Sequence, residues 1–139
     1  MTISFVGQTH VGLVKIQNED SYLVKSIDDG TVLALVADGV SGSKHGEVAS
    51  QQTVTTFTQL IDNGKLDMAL MPDMRALALT MAVQRAHNEI STAGQSNSDY
   101  RFMACTCTVA VADRQYVSVQ QVGDSRLYHL HNGKLIQKT

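Results

Sequence analysis

The sequence predicts an α+β fold: a largely antiparallel sheet system with helices packed on one side. Three observations carry this. Roughly the first forty residues read as strands, two stretches of helical periodicity follow, and roughly the last forty return to strands. No internal repeat or low-complexity tract interrupts that order.

In chain order, "ISFVGQTH" (residues 3–10) is short and rich in β-formers and is expected as a strand. "DSYLVKSI" (20–27) follows, then a turn at Asp28-Asp29-Gly30. "TVLALVA" (31–37) is nearly all apolar, which predicts a strand buried on both faces. From Gly46 to Ile61 the apolar residues Val54, Phe57, Leu60 and Ile61 recur at helical spacing, and Asp62-Asn63-Gly64 stops that helix. Pro72 suits the edge of a second helix, Asp73 to about Ala93. That helix sets Met74, Leu77, Ala78, Met81, Ala82, Ala86 and Ile90 on one core stripe, with Met68 and Met71 covering it. "FMACTCTVAVA" (102–112) and "YVSVQQV" (116–122) return to strands, and "RLYHLHNGKLIQK" (126–138) reads as a hairpin turning at Asn132-Gly133. Thr139 comes directly after a strand, which predicts an open sheet edge and a chain that is a fragment.

A length of 139 residues suits one compact domain. A net charge of −2 argues against binding nucleic acid through bulk electrostatics. No apolar run is long enough to span a membrane, and the N-terminus lacks the basic region and apolar stretch of a signal peptide. Cys105 and Cys107, one residue apart in an apolar run, share a strand face. They predict core packing in a reducing, cytoplasmic setting and no disulfide framework. His129 and His131 are expected as exposed strand residues.

The chemistry sits at the strand ends. "VLALVADGVSGS" (32–43) runs a buried strand into Asp38, aimed outward, and Gly39, which lets the backbone come close to a neighbour. "QVGDSR" repeats the device at Gly123-Asp124, and "QNEDS" opens a strand with Glu19 and Asp20. Adjacent strand residues face opposite ways, so of Glu19 and Asp20 one acts directly and the other from behind. Carboxylates converging at about 4 Å repel by about 4 kcal/mol at an effective dielectric near 20. Protonation, a basic side chain (Lys15 or Arg126) or a divalent cation would offset this. The donors are all oxygens, which favours Mg²⁺ or Mn²⁺ over Zn²⁺.

In this order the motifs resemble the metal-dependent protein phosphatase family, the type 2C serine/threonine phosphatases. "VGLVKIQNEDSY" is similar to the family's opening motif. "ALVADGVSGSKHGEVAS" is similar to its Asp-Gly motif and first helix. "MACTCTVAVA" sits where it has a Gly-Thr-Thr strand, and "VGDSRLY" is similar to its Gly-Asp-Ser-Arg motif. The resemblance implies a four-layer αββα sandwich, present here as its first half: two antiparallel sheets with two helices. It implies hydrolysis of phosphoserine and phosphothreonine by metal-activated water, with two Mn²⁺ or Mg²⁺ ions and a third held more weakly. By position, Asp38 bridges two metals and the Gly39 carbonyl binds one. Glu19 and Asp20 act through water or from behind, and Asp124 serves the third ion. Lys15 stands where the family has a phosphate-gripping arginine, and His45 lies near incoming phosphate. The partner implied is a phosphorylated protein, the substrate of a serine/threonine kinase, in bacterial cytoplasmic signalling.

Four departures stand out. Lys15 supplies charge without the guanidinium fork. Ser41 replaces a glycine-type turn position. "MACTCT" lacks Gly-Thr-Thr. The family's later Asp-Gly and Asp-Asn motifs are not in this sequence. The chain is therefore expected to be residues 1–139 of a larger catalytic domain, with little turnover alone. Two readings compete with it. One is a non-catalytic scaffold that binds a partner or phosphopeptide, or pairs with a second copy through its open sheet edge. The other is a plain divalent-ion-binding domain.

Overall fold

The computed structural model describes residues 3–139. β1 (Asp20–Ser26) turns back into β2 (Val32–Asp38), the Asp28 side chain accepting from the Gly30 N–H at 2.8 Å within the turn. β3 (Cys107–Ala112) and β4 (Val117–Val122) form a second hairpin, and β3 pairs with β2. The result is a four-stranded antiparallel sheet of order β1-β2-β3-β4. β5 (Tyr128–His131) and β6 (Lys134–Gln137) make a separate two-stranded sheet. They turn at Asn132-Gly133, where both φ are positive (49° and 73°), as a two-residue type I′ hairpin requires. Two antiparallel sheets with two helices is the α+β architecture that the sequence predicts.

The helices lie between β2 and β3 in sequence and cover one face of the larger sheet. α1 (Gly46–Asp62) ends in a Schellman motif: Gly64, at φ 66°, donates to Ile61 and Lys65 donates to Leu60. α2 (Arg75–Ser96) follows a short 3-10 turn at Pro72–Met74, so it starts and ends slightly later than the pattern indicates. Leu33, Leu35, Val109 and Val111 point from the sheet onto Phe57, Leu60, Leu79 and Ala82. Cys107 joins this core, and burial pushes its thiol up to about 12, so it packs as a neutral apolar group.

Four expectations change. Residues 3–10 form no strand: propensity alone does not satisfy a backbone, and this segment has no ladder partner. Instead Gly7 lies against the Tyr22 ring, where an added Cβ would fall 2.1 Å from a ring carbon. β2 is buried on one face only. Its period-2 alternation turns Ala34 and Val36 away from the helices, and Val36 is 46% exposed. The α2 stripe is rotated: Leu79 enters the core with Ala78, Ala82 and Ala86, and Leu77 and Met81 remain 49% and 58% exposed. The small alanines let the helix sit close, and Leu79 fills the space between them. Met71 is exposed and does not cover the core, and the Met68 side chain falls outside the described residues.

A buried arginine locks the distal end. Arg75 is 1% exposed; its Nε donates to the Ala69 carbonyl at 2.7 Å and its Nη2 to Asp113 Oδ2 at 2.5 Å. Asp113 also accepts from the Gln115 and Tyr116 N–H groups, at 2.7 and 2.8 Å. These two backbone donors first, and then Arg75, hold its carboxyl at about 2. Because the folded value lies below the unfolded one, the stabilisation is present above about pH 4 and is lost as pH falls through about 2. Asp113→Asn is expected to lower the urea midpoint at pH 7, with the gap to wild type closing by about pH 2; a constant gap in a pH series of urea melts would contradict this.

Candidate metal and phosphate site

The pairing register builds the site. Asp20 opens β1 and Asp38 ends β2, and the two are direct cross-strand partners. Both side chains leave the sheet on the face that the helices do not cover. Their closeness contributes to the pKa of Asp38, which is raised above the ordinary carboxylate range. Burial contributes most, followed by the charge of Asp20, a hydrogen bond with Asp20 and the charge of Asp124. Lys15 acts in the opposite direction. Asp124 arrives on the turn after β4, at Gly123 with φ 99°.

Backbone contacts hold this end together. An added Cβ on Gly39 would lie 2.6 Å from the Gly46 carbonyl carbon and 2.7 Å from the Glu19 oxygen. Glycine is required here for close approach of three backbones. The Gly39 N–H donates to the Glu19 carbonyl at 3.1 Å, and the fully buried Ser50 hydroxyl donates to the same oxygen at 2.6 Å. Thr106 ties Asp38 to the Asp124 turn. Its hydroxyl accepts from the Asp38 N–H at 3.0 Å and bonds Ser125 Oγ at 2.8 Å, and its own N–H donates to the Asp38 carbonyl at 2.8 Å. Its methyl group packs where a Cβ on Gly123 would sit, 2.6 Å away. Thr106 and Ser50 are absent from the sequence-based candidates. Their one sequence signal is a small hydroxyl residue amid apolar ones.

Lys15 Nζ donates to Glu19 and, at 2.6 Å, to Ser41 Oγ. Its ammonium also feels Asp38 and Asp20. Asp20, Asp38, Asp124, Glu19 and Lys15 therefore gather at one end of the sheet. His45 has other neighbours. It caps α1 in the left-handed region at φ 64°, with its ring 3.2 Å from Glu47 Oε1 and edge-on to Tyr100 at 5.2 Å. A cleft of about 410 Å³ opens beside the carboxylates, with Asp20 and Asp38 on one wall and His10, Ser125 and Arg126 also lining it.

Among the described residues, no group of three or more His, Cys, Asp or Glu side chains is arranged to hold an ion on its own. The donor chemistry nonetheless fits a hard dication: two facing carboxylates, a third nearby, and a pKa of Asp38 raised by burial and then by its acidic neighbours. The Cys105 and Cys107 thiols, both raised by burial, are not available as soft ligands.

The sequence profile of protein phosphatase 2C matches residues 6–138. The chain belongs to the protein phosphatase 2C family. It is 32% identical to the serine/threonine phosphatase stp of Listeria monocytogenes over 133 residues, covering 95% of this chain and 52% of that protein. A bacterial serine phosphatase superposes with a TM-score of 0.85 at 25% identity, covering 95% of this chain and 52% of the other. The catalytic domain of the serine/threonine protein phosphatase PstP, solved in complex with 2 manganese ions, superposes at 0.72 with 30% identity, covering 92% and 51%. The protein phosphatase 2C chain described here thus spans about half the length of these relatives.

Two substitutions test the backbone framework. Gly39→Ala forces apart β2, α1 and the Glu19 peptide, with an expected loss of roughly 1–3 kcal/mol in urea melts. Thr106→Val keeps the shape but leaves the Asp38 N–H unpaired; a loss of about 1–3 kcal/mol is expected, and wild-type stability would contradict the tie.

Proposed function

We propose that residues 1–139 form the N-terminal part of a single metal-dependent serine/threonine phosphatase catalytic domain, hydrolysing phosphoserine and phosphothreonine in proteins phosphorylated by a serine/threonine kinase. The observation that carries this reading is the cross-strand pairing of Asp20 with Asp38, with Lys15 acting on both. Family membership and the manganese-bound PstP relative support Mn²⁺ as the ion, with Mg²⁺ as the alternative.

In this reading Asp38, Asp20 and the Gly39 carbonyl hold the ions, with Asp124 serving a further one and Glu19 acting from behind. Divalent ions bound there supply a more acidic water and neutralise charge on the phosphoryl group. The chain's own residues do the rest. Thr106 fixes the Asp38 backbone, so the carboxylate needs no reorganisation to meet a cation. Lys15 offers an ammonium to the incoming phosphate oxygens. Arg126, on the cleft wall, supplies a second positive charge that limits repulsion of a dianion. His45 is proposed at the edge of the substrate path. A cytoplasmic location accompanies this reading; no helix of the described residues is long and apolar enough to cross a membrane.

A second reading follows from the incomplete cage: a scaffold that binds phosphopeptides without metal. The same experiment separates the two. Calorimetry is expected to show Mn²⁺ uptake by wild type, weakened about 10-fold or more in Asp38→Asn, with the weak hydrolysis of a phosphoserine peptide expected of this partial chain lost in the variant. Turnover that survives the substitution rejects the assignment, and phosphopeptide binding without any Mn²⁺ uptake favours the scaffold.

A further inference from the structure

We propose that Ser41 is a substrate-binding residue: its hydroxyl and the Lys15 ammonium form one clamp that takes two oxygens of a phosphoryl group beside the paired carboxylates. This rests on the phosphatase reading above and names the groups that hold the phosphate.

The clamp follows from how the two side chains meet. Lys15 donates to Glu19 and to Ser41 Oγ, the latter at 2.6 Å. An ammonium has three N–H donors, so one remains for a ligand. A hydroxyl that accepts from an ammonium keeps its own proton to give, and the neighbouring charge makes it a better donor. Among the described residues the Ser41 O–H meets no acceptor. The pair therefore presents two donors, one of them on an ammonium ion-paired with Glu19, which matches two oxygens of a phosphate monoester.

The backbone presets this geometry. Ser43 donates to the Val40 carbonyl twice, from its N–H at 3.0 Å and its hydroxyl at 2.8 Å. Gly42, at φ 96°, supplies the positive φ that the third position of a type II turn requires. Val40 is itself anchored, its N–H donating to the Ala104 carbonyl at 2.9 Å. Ser41 thus stands on a closed turn while Lys15 comes from a segment without regular structure. A long lysine side chain restrained at two points loses less freedom when it binds an anion.

The position also suits the charge problem. The ammonium acts on both Asp38 and Asp20. A phosphate dianion approaching those carboxylates is repelled unless cationic and donor groups receive it first.

The test compares wild type, Ser41→Ala, Ser41→Thr and Lys15→Met for binding of inorganic phosphate by calorimetry, with Mn²⁺ affinity measured separately. Ser41→Ala is expected to weaken phosphate binding about tenfold with Mn²⁺ affinity unchanged, and Ser41→Thr to restore it to within about twofold. Where wild type turns over a phosphoserine peptide, Ser41→Ala should raise KM by a similar factor and change kcat little. Phosphate affinity unchanged in Ser41→Ala, or no phosphate binding by wild type, overturns the clamp. If wild type hydrolyses the peptide and Ser41→Ala does so with the same KM, the clamp fails and the phosphatase reading stands. If Ser41 governs phosphate binding but wild type takes up no Mn²⁺, the clamp stands and the phosphatase reading fails.

Discussion

The cross-strand pairing of Asp20 with Asp38 is the constraint that the rest of this end of the molecule accommodates. Antiparallel register places two carboxylates side by side where the sheet runs out, and neither can move without breaking the ladder between β1 and β2. Asp38 has a raised pKa, from burial first and then from repulsion by Asp20 and Asp124. The surroundings oppose it. Lys15 lies within electrostatic reach, and the Asp38 peptide is fixed through both its N–H and its carbonyl by Thr106. Gly39 lets α1 and the Glu19 peptide close in behind the pair, and Ser50 seals that contact with a buried hydroxyl. A cluster so restrained is costly to keep empty of positive charge, and this is what makes it suited to a cation.

The two faces of the sheet differ in the same physical currency. One is covered by α1 and α2 and contains the core. The other carries Tyr22 and Val36, both exposed, and a cavity of about 390 Å³ also lined by residues 6–8, Leu127 and Tyr128. The Thr108 hydroxyl on this face is buried and without a partner among the described residues. β5 and β6 are exposed along their whole length, and a lone hairpin of this kind is marginal in water. The carboxylates leave the sheet on this same uncovered side, so packing there bears directly on the site.

Much of this was legible in the sequence. Periodicity located α1 to within a residue, Asn132-Gly133 announced its hairpin, and the Asp-Gly pairs marked the strand ends that carry charge. What was not legible depends on partners. Residues 3–10 have strand propensity but no ladder, so they lie across Tyr22 instead. An apolar run such as Val32–Ala37 reads the same whether one face or two are covered, and only the placement of the helices decides. The α2 stripe slipped because alanine fits on either side of a helix, so Leu79 and Leu77 cannot be ranked without the sheet. Thr106 was hidden for a similar reason: its role comes from lying beside Asp38, far away in sequence.

In the proposed reading the site divides its tasks between the sheet and the loops. The carboxylates come from strand ends and a glycine turn held by Thr106, where geometry has to be exact to tenths of an ångström for a small dication. The cationic side comes from a segment without regular structure and a four-residue turn, where Lys15 and Ser41 meet. A metal ion tolerates little variation in its ligands, whereas phosphate arrives on protein chains of varied shape. In the proposed reading the anionic ligands stand on the sheet and the anion-gripping donors on loops. The hydrogen bond from Lys15 to Ser41 then ties the segment without regular structure to a turn that is itself closed.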